Sequence, residues 1–176
     1  ERKATEEALL ESEDRYRTLT NNLNVGVYRN TAGPKGKFIE ANPAIMKIFG
    51  YANREEFLRK EVSDLYQNPD DRIKFNAKML QEGAVMNEEE QLRKKNGTPF
   101  IASISAVAVT DEKGEIKYYD GIVEDITERK NMIEALRESE EKYRTVLESS
   151  LDPIVVYDTE GKVTYFNPSF TRVFGW

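Results

Sequence analysis

The chain has no cysteine and no histidine among its 176 residues. These two absences exclude disulfides, thiolate nucleophiles, zinc centres of the usual kind, Ser-His-Asp triads and haem ligation through imidazole or thiolate. A histidine phosphoacceptor within these residues is excluded too. Long apolar runs are also missing. No stretch approaches the roughly 20 residues that cross a bilayer, and Glu1 to Glu7 lacks the apolar core of a signal peptide. The segment is therefore expected to be cytoplasmic and to make no membrane contact. The formal charge is -6, with both signs mixed along the chain. That distribution offers no continuous basic surface to a phosphate backbone, so nucleic acid is not an expected partner.

What is present is repetition. Glu1 to Leu19 aligns without a gap with Glu128 to Val146, and twelve of the nineteen positions are identical. The match resumes after a loop that differs by two residues: Gly36-Lys37-Phe38 against Gly161-Lys162-Val163, Asn42-Pro43 against Asn167-Pro168, Phe49-Gly50-Tyr51 against Phe174-Gly175-Trp176. One unit is thus about 125 residues long, and the chain stops inside the second copy. A hydrophobic content of 39% suits one well-buried domain plus extras. The division expected is a linker helix over 1–23, a complete domain over 24–127, a connecting helix over 128–150 and the start of a second domain over 151–176. That last piece falls below the ~40 residues at which isolated folding becomes plausible, so it is expected to fray or to borrow a surface.

Within the complete unit, Val25 to Asn30 and Lys37 to Ala41 read as a strand hairpin around Thr31 to Gly36. Asn42 offers an N-cap with Pro43 at the first helical position, and Ile45, Ile48 and Phe49 share a face before Gly50 closes that helix. Asn53 to Lys60 suits another short helix. Asn68-Pro69-Asp70-Asp71 opens a longer one, with Ile73, Phe75, Met79 and Leu80 as its apolar side. Strands follow over Asn87 to Lys94, Pro99 to Val109 and Glu115 to Glu124, with Asn96-Gly97 a strong tight-turn signal. The order predicts an α+β fold: a five-stranded antiparallel sheet with short helices on one face, flanked by long amphipathic helices.

This order resembles the PAS fold. The resemblance is carried by Phe38-Ile39-Glu40-Ala41-Asn42-Pro43-Ala44, Phe49-Gly50-Tyr51, Asn68-Pro69-Asp70-Asp71-Arg72, Arg93-Lys94-Lys95-Asn96-Gly97-Thr98 and, most specifically, Gly121-Ile122-Val123-Glu124-Asp125-Ile126-Thr127-Glu128-Arg129-Lys130. An Asp-Ile-Thr-Glu-Arg-Lys segment after a glycine-containing strand is the usual exit of bacterial PAS domains into a signalling helix. The resemblance implies a parent protein of the sensor histidine kinase or diguanylate cyclase kind, working in a two-component phosphorelay or cyclic-dinucleotide pathway. Flavin relatives that form a covalent adduct use a cysteine, and haem relatives commonly supply a histidine from the long helix. Residues 69–82 contain neither, which excludes both chemistries and leaves the identity of any cofactor open. Trp176, the only tryptophan, lies outside the complete core.

Three sets of residues are candidates for function. Phe100, Ala102, Ile104, Ala106 and Ala108 alternate with Ile101, Ser103, Ser105, Val107 and Val109 along the central strand, and either face is able to line the interior. With the alanine-bearing face inward, Ala102, Ile104 and Ala106 would join Tyr28, Ile45, Phe49, Phe75, Met79, Tyr119 and Val123 around a small-molecule ligand. The same residues would equally make a close-packed core. Asp125, Ile126, Thr127 and Glu128 form the exit motif, with Asp125 as N-cap and Glu128 three residues on, an acidic capping box that would join sheet to helix.

Leu9, Tyr16 and Leu23, and Ile133, Leu136, Tyr143 and Leu147, follow heptad spacing, with Ile126 one heptad before Ile133. They predict a coiled-coil seam and a parallel homodimer. A monomer in which each helix packs on its own core is the alternative. From Ile126 to Ser149 the helix would be a rod of roughly 36 Å.

Other motifs are declined. Glu-Ala-Leu at 7–9 and 134–136 sits on heptad helices without metal ligands around it, and Glu88-Glu89-Glu90 on a strand cannot converge on one ion, because neighbouring strand residues point to opposite faces. No catalytic site and no metal site are assigned. The expected function is a sensory PAS module that relays ligand or partner binding through a dimeric helix to an output domain. The alternative is a ligand-free module that dimerises and spaces a tandem array.

Overall fold

The computed structural model describes residues 11, 12, 14, 15, 18–21 and 24–175. By its internal contacts the chain divides into two compact units, Glu1–Thr127 and Glu128–Trp176. In the first, the described residues between 11 and 21 are helical. Then follow β1 (Gly26–Asn30), β2 (Phe38–Ala41), α1 (Pro43–Phe49), α2 (Arg54–Leu58), a 3-10 turn (Val62–Leu65), α3 (Pro69–Glu82), β3 (Ala84–Arg93), β4 (Pro99–Thr110) and β5 (Ile116–Asp125). The strands form one antiparallel sheet in the order β2-β1-β5-β4-β3. This is the predicted α+β arrangement.

Local chemistry sets the helix limits. The side-chain oxygens of Asn42, Asn53 and Asn68 accept hydrogen bonds from the backbone N–H groups of Ile45, Glu56 and Asp70, and proline occupies the first turn of α1 and α3. Gly50 and Gly83 end α1 and α3 in the left-handed region, at φ 74° and 73°. A side chain with a Cβ is disfavoured there.

The core lies on the helical face of the sheet. β4 turns its alanine-bearing face inward, burying Phe100, Ala102, Ile104 and Ala106. Ile45 and Phe49 from α1 and Phe75 and Met79 from α3 close over it. Phe38, Phe49, Tyr51, Phe57 and Phe100 form a run of edge and tilted ring contacts with centroids 4.5 to 5.7 Å apart. Each large apolar side chain buried this way contributes about 1.5–3 kcal/mol relative to exposure.

One face was misread from the sequence. Ile73 and Leu80 are exposed, at 53% and 58%, and the buried side of α3 is Arg72, Phe75, Asn76 and Met79. That set keeps strict i, i+3, i+4, i+7 spacing. Its two polar members are buried because the loop between β1 and β2 supplies their hydrogen-bond partners.

α4 (Thr127–Ser149) starts on the last residue of the first unit, and the rest of it, in the second unit, leads to a hairpin of β6 (Val155–Tyr157) and β7 (Val163–Phe166) and then α5 (Pro168–Phe174). Asn167 caps α5 and Gly175 ends it at φ 73°, repeating the chemistry of α1.

Candidate functional site

The structure brings the predicted interior residues together. Ile45, Phe49, Phe75, Met79, Ala102, Ile104, Ala106, Tyr119 and Val123 all belong to one buried cluster, and Tyr28 packs against it partly buried. Tyr28 faces Gly121 across the β1–β5 ladder. The Tyr28 ring lies so close over that strand that a Cβ on Gly121 would collide with it. Glycine at 121 is thus what admits the Tyr28 ring. Burial pushes the Tyr28 phenol up to about 12, with the nearby Arg72 charge opposing the shift.

A polar group missed by the sequence reading sits beside these residues. Arg72 is buried, and its guanidinium donates to the carbonyls of Gly33 at 3.0 Å and Pro34 at 3.3 Å. The Asn76 side-chain oxygen accepts from the Gly33 N–H at 3.0 Å and the Tyr119 hydroxyl at 3.2 Å. Together they clip the β1–β2 loop onto α3. The signal was available in the spacing of 72, 75, 76 and 79, but two polar side chains hid it.

At the edge, Glu88 pairs with Lys78 at 2.5 Å. Partial burial, then Asp71 and Glu88, push the Glu90 carboxyl up to about 7, with Lys74 and Arg72 opposing. Glu88 and Glu90 are half-buried, while Glu89 between them is exposed.

On the opposite face of the sheet lies an open hollow of about 930 Å³ that shares only Tyr28 and Ala106 with the predicted interior set. Arg29 and Asp120, both lining it, make a two-point pair at 2.6 and 2.8 Å, and Arg29 stacks on the Tyr118 ring at 3.9 Å.

The exit motif is built into the sheet. The Ile126 N–H donates to the Ile101 carbonyl at 2.9 Å, and the Ile101 N–H donates to the Thr127 hydroxyl oxygen at 2.9 Å. Asp125 accepts from the Thr127 N–H at 3.1 Å and pairs with Lys94 at 3.0 Å. Burial raises the Asp125 pKa, but the bonds from Thr127 and Lys94 outweigh it and hold the carboxyl below its usual range. The cap therefore differs from the predicted box. Asp125 engages Thr127, two residues on, and Ile126, itself fully buried, separates it from the helix. Lys94 and Ile101 were not foreseen as partners, because no local spacing links them to 125–128.

Along α4, Ile133, Leu136 and Tyr143 are exposed at 59%, 62% and 69%, and Leu147 is partly buried. Leu9, Tyr16 and Leu23 of the amino-terminal seam lie outside the described residues. No helix among the described residues is long and apolar enough to cross a membrane.

Comparison with known proteins agrees with this architecture. A family model described as a PAS domain matches residues 30–128, and a second of the same description matches 141–176. Sporulation kinase E of Bacillus subtilis (strain 168) is 23% identical over 177 residues, covering 99% of this chain and 23% of that protein. The probable diguanylate cyclase DgcE of Escherichia coli (strain K12) is 31% identical over 97 residues, covering 55% of this chain and 9% of that protein. The chain spans less than a quarter of the length of the curated relatives it matches. In fold it is similar to a crystallised domain of a sensory box sensor histidine kinase/response regulator from Geobacter sulfurreducens. The TM-score is 0.53 at 24% identity, over 66% of this chain and 96% of that one.

Proposed function

The chain belongs to the PAS domain family, and on that premise we propose that it is a sensory module whose state passes from the core into α4 and on to an output domain. The observation that carries this is the joint at the end of β5. Ile126 and Thr127 are hydrogen-bonded to Ile101, which anchors the start of α4 at Thr127 to the central strand β4. A change in strand position has no slack residue in which to dissipate. A ligand or partner that prefers one arrangement of the core would shift α4 by its differential affinity, typically ~1–3 kcal/mol in coupled systems.

The exposed stripe of Ile133, Leu136 and Tyr143 supports a second copy as the neighbour of α4, in a parallel homodimer. The output is then a histidine kinase or diguanylate cyclase domain, as in relatives of those kinds, and the module works in the cytoplasm with no catalysis of its own. The interior set around Ala102, Ile104 and Ala106 is the proposed ligand site. A second reading, a ligand-free spacer that dimerises and holds register, is favoured by Tyr28, whose ring fills the space over Gly121.

Native mass spectrometry of the purified protein, run beside a denatured sample, tests the sensor reading together with melting across a metabolite panel. Co-purified mass, or a raised melting temperature with one metabolite class, is the expected result. No bound mass and an unchanged transition throughout the panel would leave the spacer.

A further inference from the structure

Asn42 does more than cap α1. Its side-chain oxygen accepts from the Ile45 N–H at 3.2 Å and from the Val27 N–H at 2.9 Å. Its amide donates to the Thr20 carbonyl at 2.8 Å and the Val25 carbonyl at 3.0 Å. Both acceptor sites and both donor hydrogens of the carboxamide are thus in use. Thr20 is in the incoming helix, Val27 in β1 and Ile45 in α1. One side chain, 7% exposed, ties the incoming helix to the first strand and to the first helix that covers the sheet.

The second copy repeats the arrangement. The Asn167 oxygen accepts from the Ile154 N–H at 2.9 Å and the Phe170 N–H at 3.0 Å. Its amide donates to the Asp152 carbonyl at 2.9 Å and to the Leu147 carbonyl, in α4, at 3.1 Å. A longer approach to the Ser150 carbonyl, 3.5 Å, completes the set, and Asn167 is 1% exposed. Thr20 and Leu147 stand 127 positions apart, the offset that relates the two linker helices. Their side chains differ, but the acceptor is main chain, so residue type there is free.

Capping alone asks only for an acceptor, which serine, threonine or aspartate provides as well. Donation to a main-chain carbonyl asks in addition for a carboxamide N–H, which serine, threonine and aspartate cannot supply in the same place.

We propose that Asn42 and Asn167 are latches that fix each incoming helix to the core it enters, so that a displacement at the helix end is handed to β1 and α1 in the first copy and, through Ile154 just ahead of β6, to the hairpin and α5 in the second. The inference rests on the relay reading above and gives it an input side. Asp125 and Thr127 give it an output side.

The absence of cysteine allows spin labels to be placed in pairs at will. Asp14→Cys with Lys47→Cys spans the first latch, and Glu141→Cys with Arg172→Cys spans the second. Pulsed dipolar spectroscopy then reads the distance distribution within each unit. A single narrow peak is expected in both labelled chains. Asn42→Ser and Asn42→Asp keep a capping oxygen but lose the amide donors, and each should broaden and shift the first distribution while circular dichroism still shows a folded core. Asn167→Ser should do the same to the second distribution alone, and it leaves the complete domain untouched if the Asn42 variants fail to fold. Distributions unchanged by these substitutions, or already broad without them, would overturn the latch. The relay reading is judged separately by ligand binding and by oligomeric state, so the two failures are distinguishable.

Discussion

Thr127 stands in for a strand. Its hydroxyl oxygen accepts the Ile101 N–H at 2.9 Å. In the continuing register of β4 and β5, that N–H would otherwise go to the carbonyl of Ile126, which already returns its own N–H to Ile101. The residue ahead of a helix turns its carbonyl into the first turn, so a side chain completes the ladder where the backbone has left it. Thr127→Val, which keeps the shape and removes the acceptor, should lower stability by about 1–2 kcal/mol in urea unfolding. It should also speed exchange of the Ile101 amide, while Thr127→Ser preserves both. Wild-type exchange in the valine variant would show that the joint is not needed to hold the strand end.

Gly121 and Tyr28 form a size-matched pair. Alanine at 121 places a Cβ against the Tyr28 ring, and overpacking of this kind costs roughly 1–3 kcal/mol. Tyr28→Leu should recover part of that loss, visible as a favourable coupling in a double-mutant cycle. Simple additivity of the two changes would mean that the ring moves aside at no cost.

Arg72 is held by two loop carbonyls. Arg72→Met keeps the buried stem and deletes the donors, so the loss should be about 1–3 kcal/mol. Faster amide exchange should be confined at first to residues 31–36. A uniform effect across the domain would assign Arg72 to general packing instead.

Glu90 gives the fold a pH dependence of definite sign. Its carboxyl titrates at about 7 in the folded chain against the ordinary 4.5. Between those values the folded state binds more protons than the unfolded one, so this group's contribution falls as pH rises through the window. Glu90→Gln should therefore be more stable than the parent at pH 8, by on the order of 1 kcal/mol once solvent screening is allowed for. Near pH 4 the two should converge. A constant difference between pH 4 and 8 would assign the effect to packing.

Much of this was legible in the sequence. Asparagine-proline pairs at 42–43 and 68–69 and glycines at 50 and 83 mark helix ends by chemistry that acts within a few residues, and the structure keeps them. The alternation along β4 showed two faces without saying which was inward, since alanine is small enough for either. Contacts far apart in sequence left no mark. The buried side of α3 was hidden because Arg72 and Asn76 are satisfied by a loop some forty residues earlier, at Gly33 and Pro34. Asn42 was readable as a cap, whereas its bonds to Thr20 and Val25 depend on how the chain returns to it.

The central claim, a core that speaks through a paired helix, meets its most direct test in sedimentation equilibrium. The unsubstituted chain and the Ile133→Asp, Leu136→Asp double variant would be compared over a range of concentrations, with circular dichroism confirming that the core of each is folded. The account predicts a dimer for the former and a monomer for the latter. A monomer in both, or the same dimer in both, would contradict it.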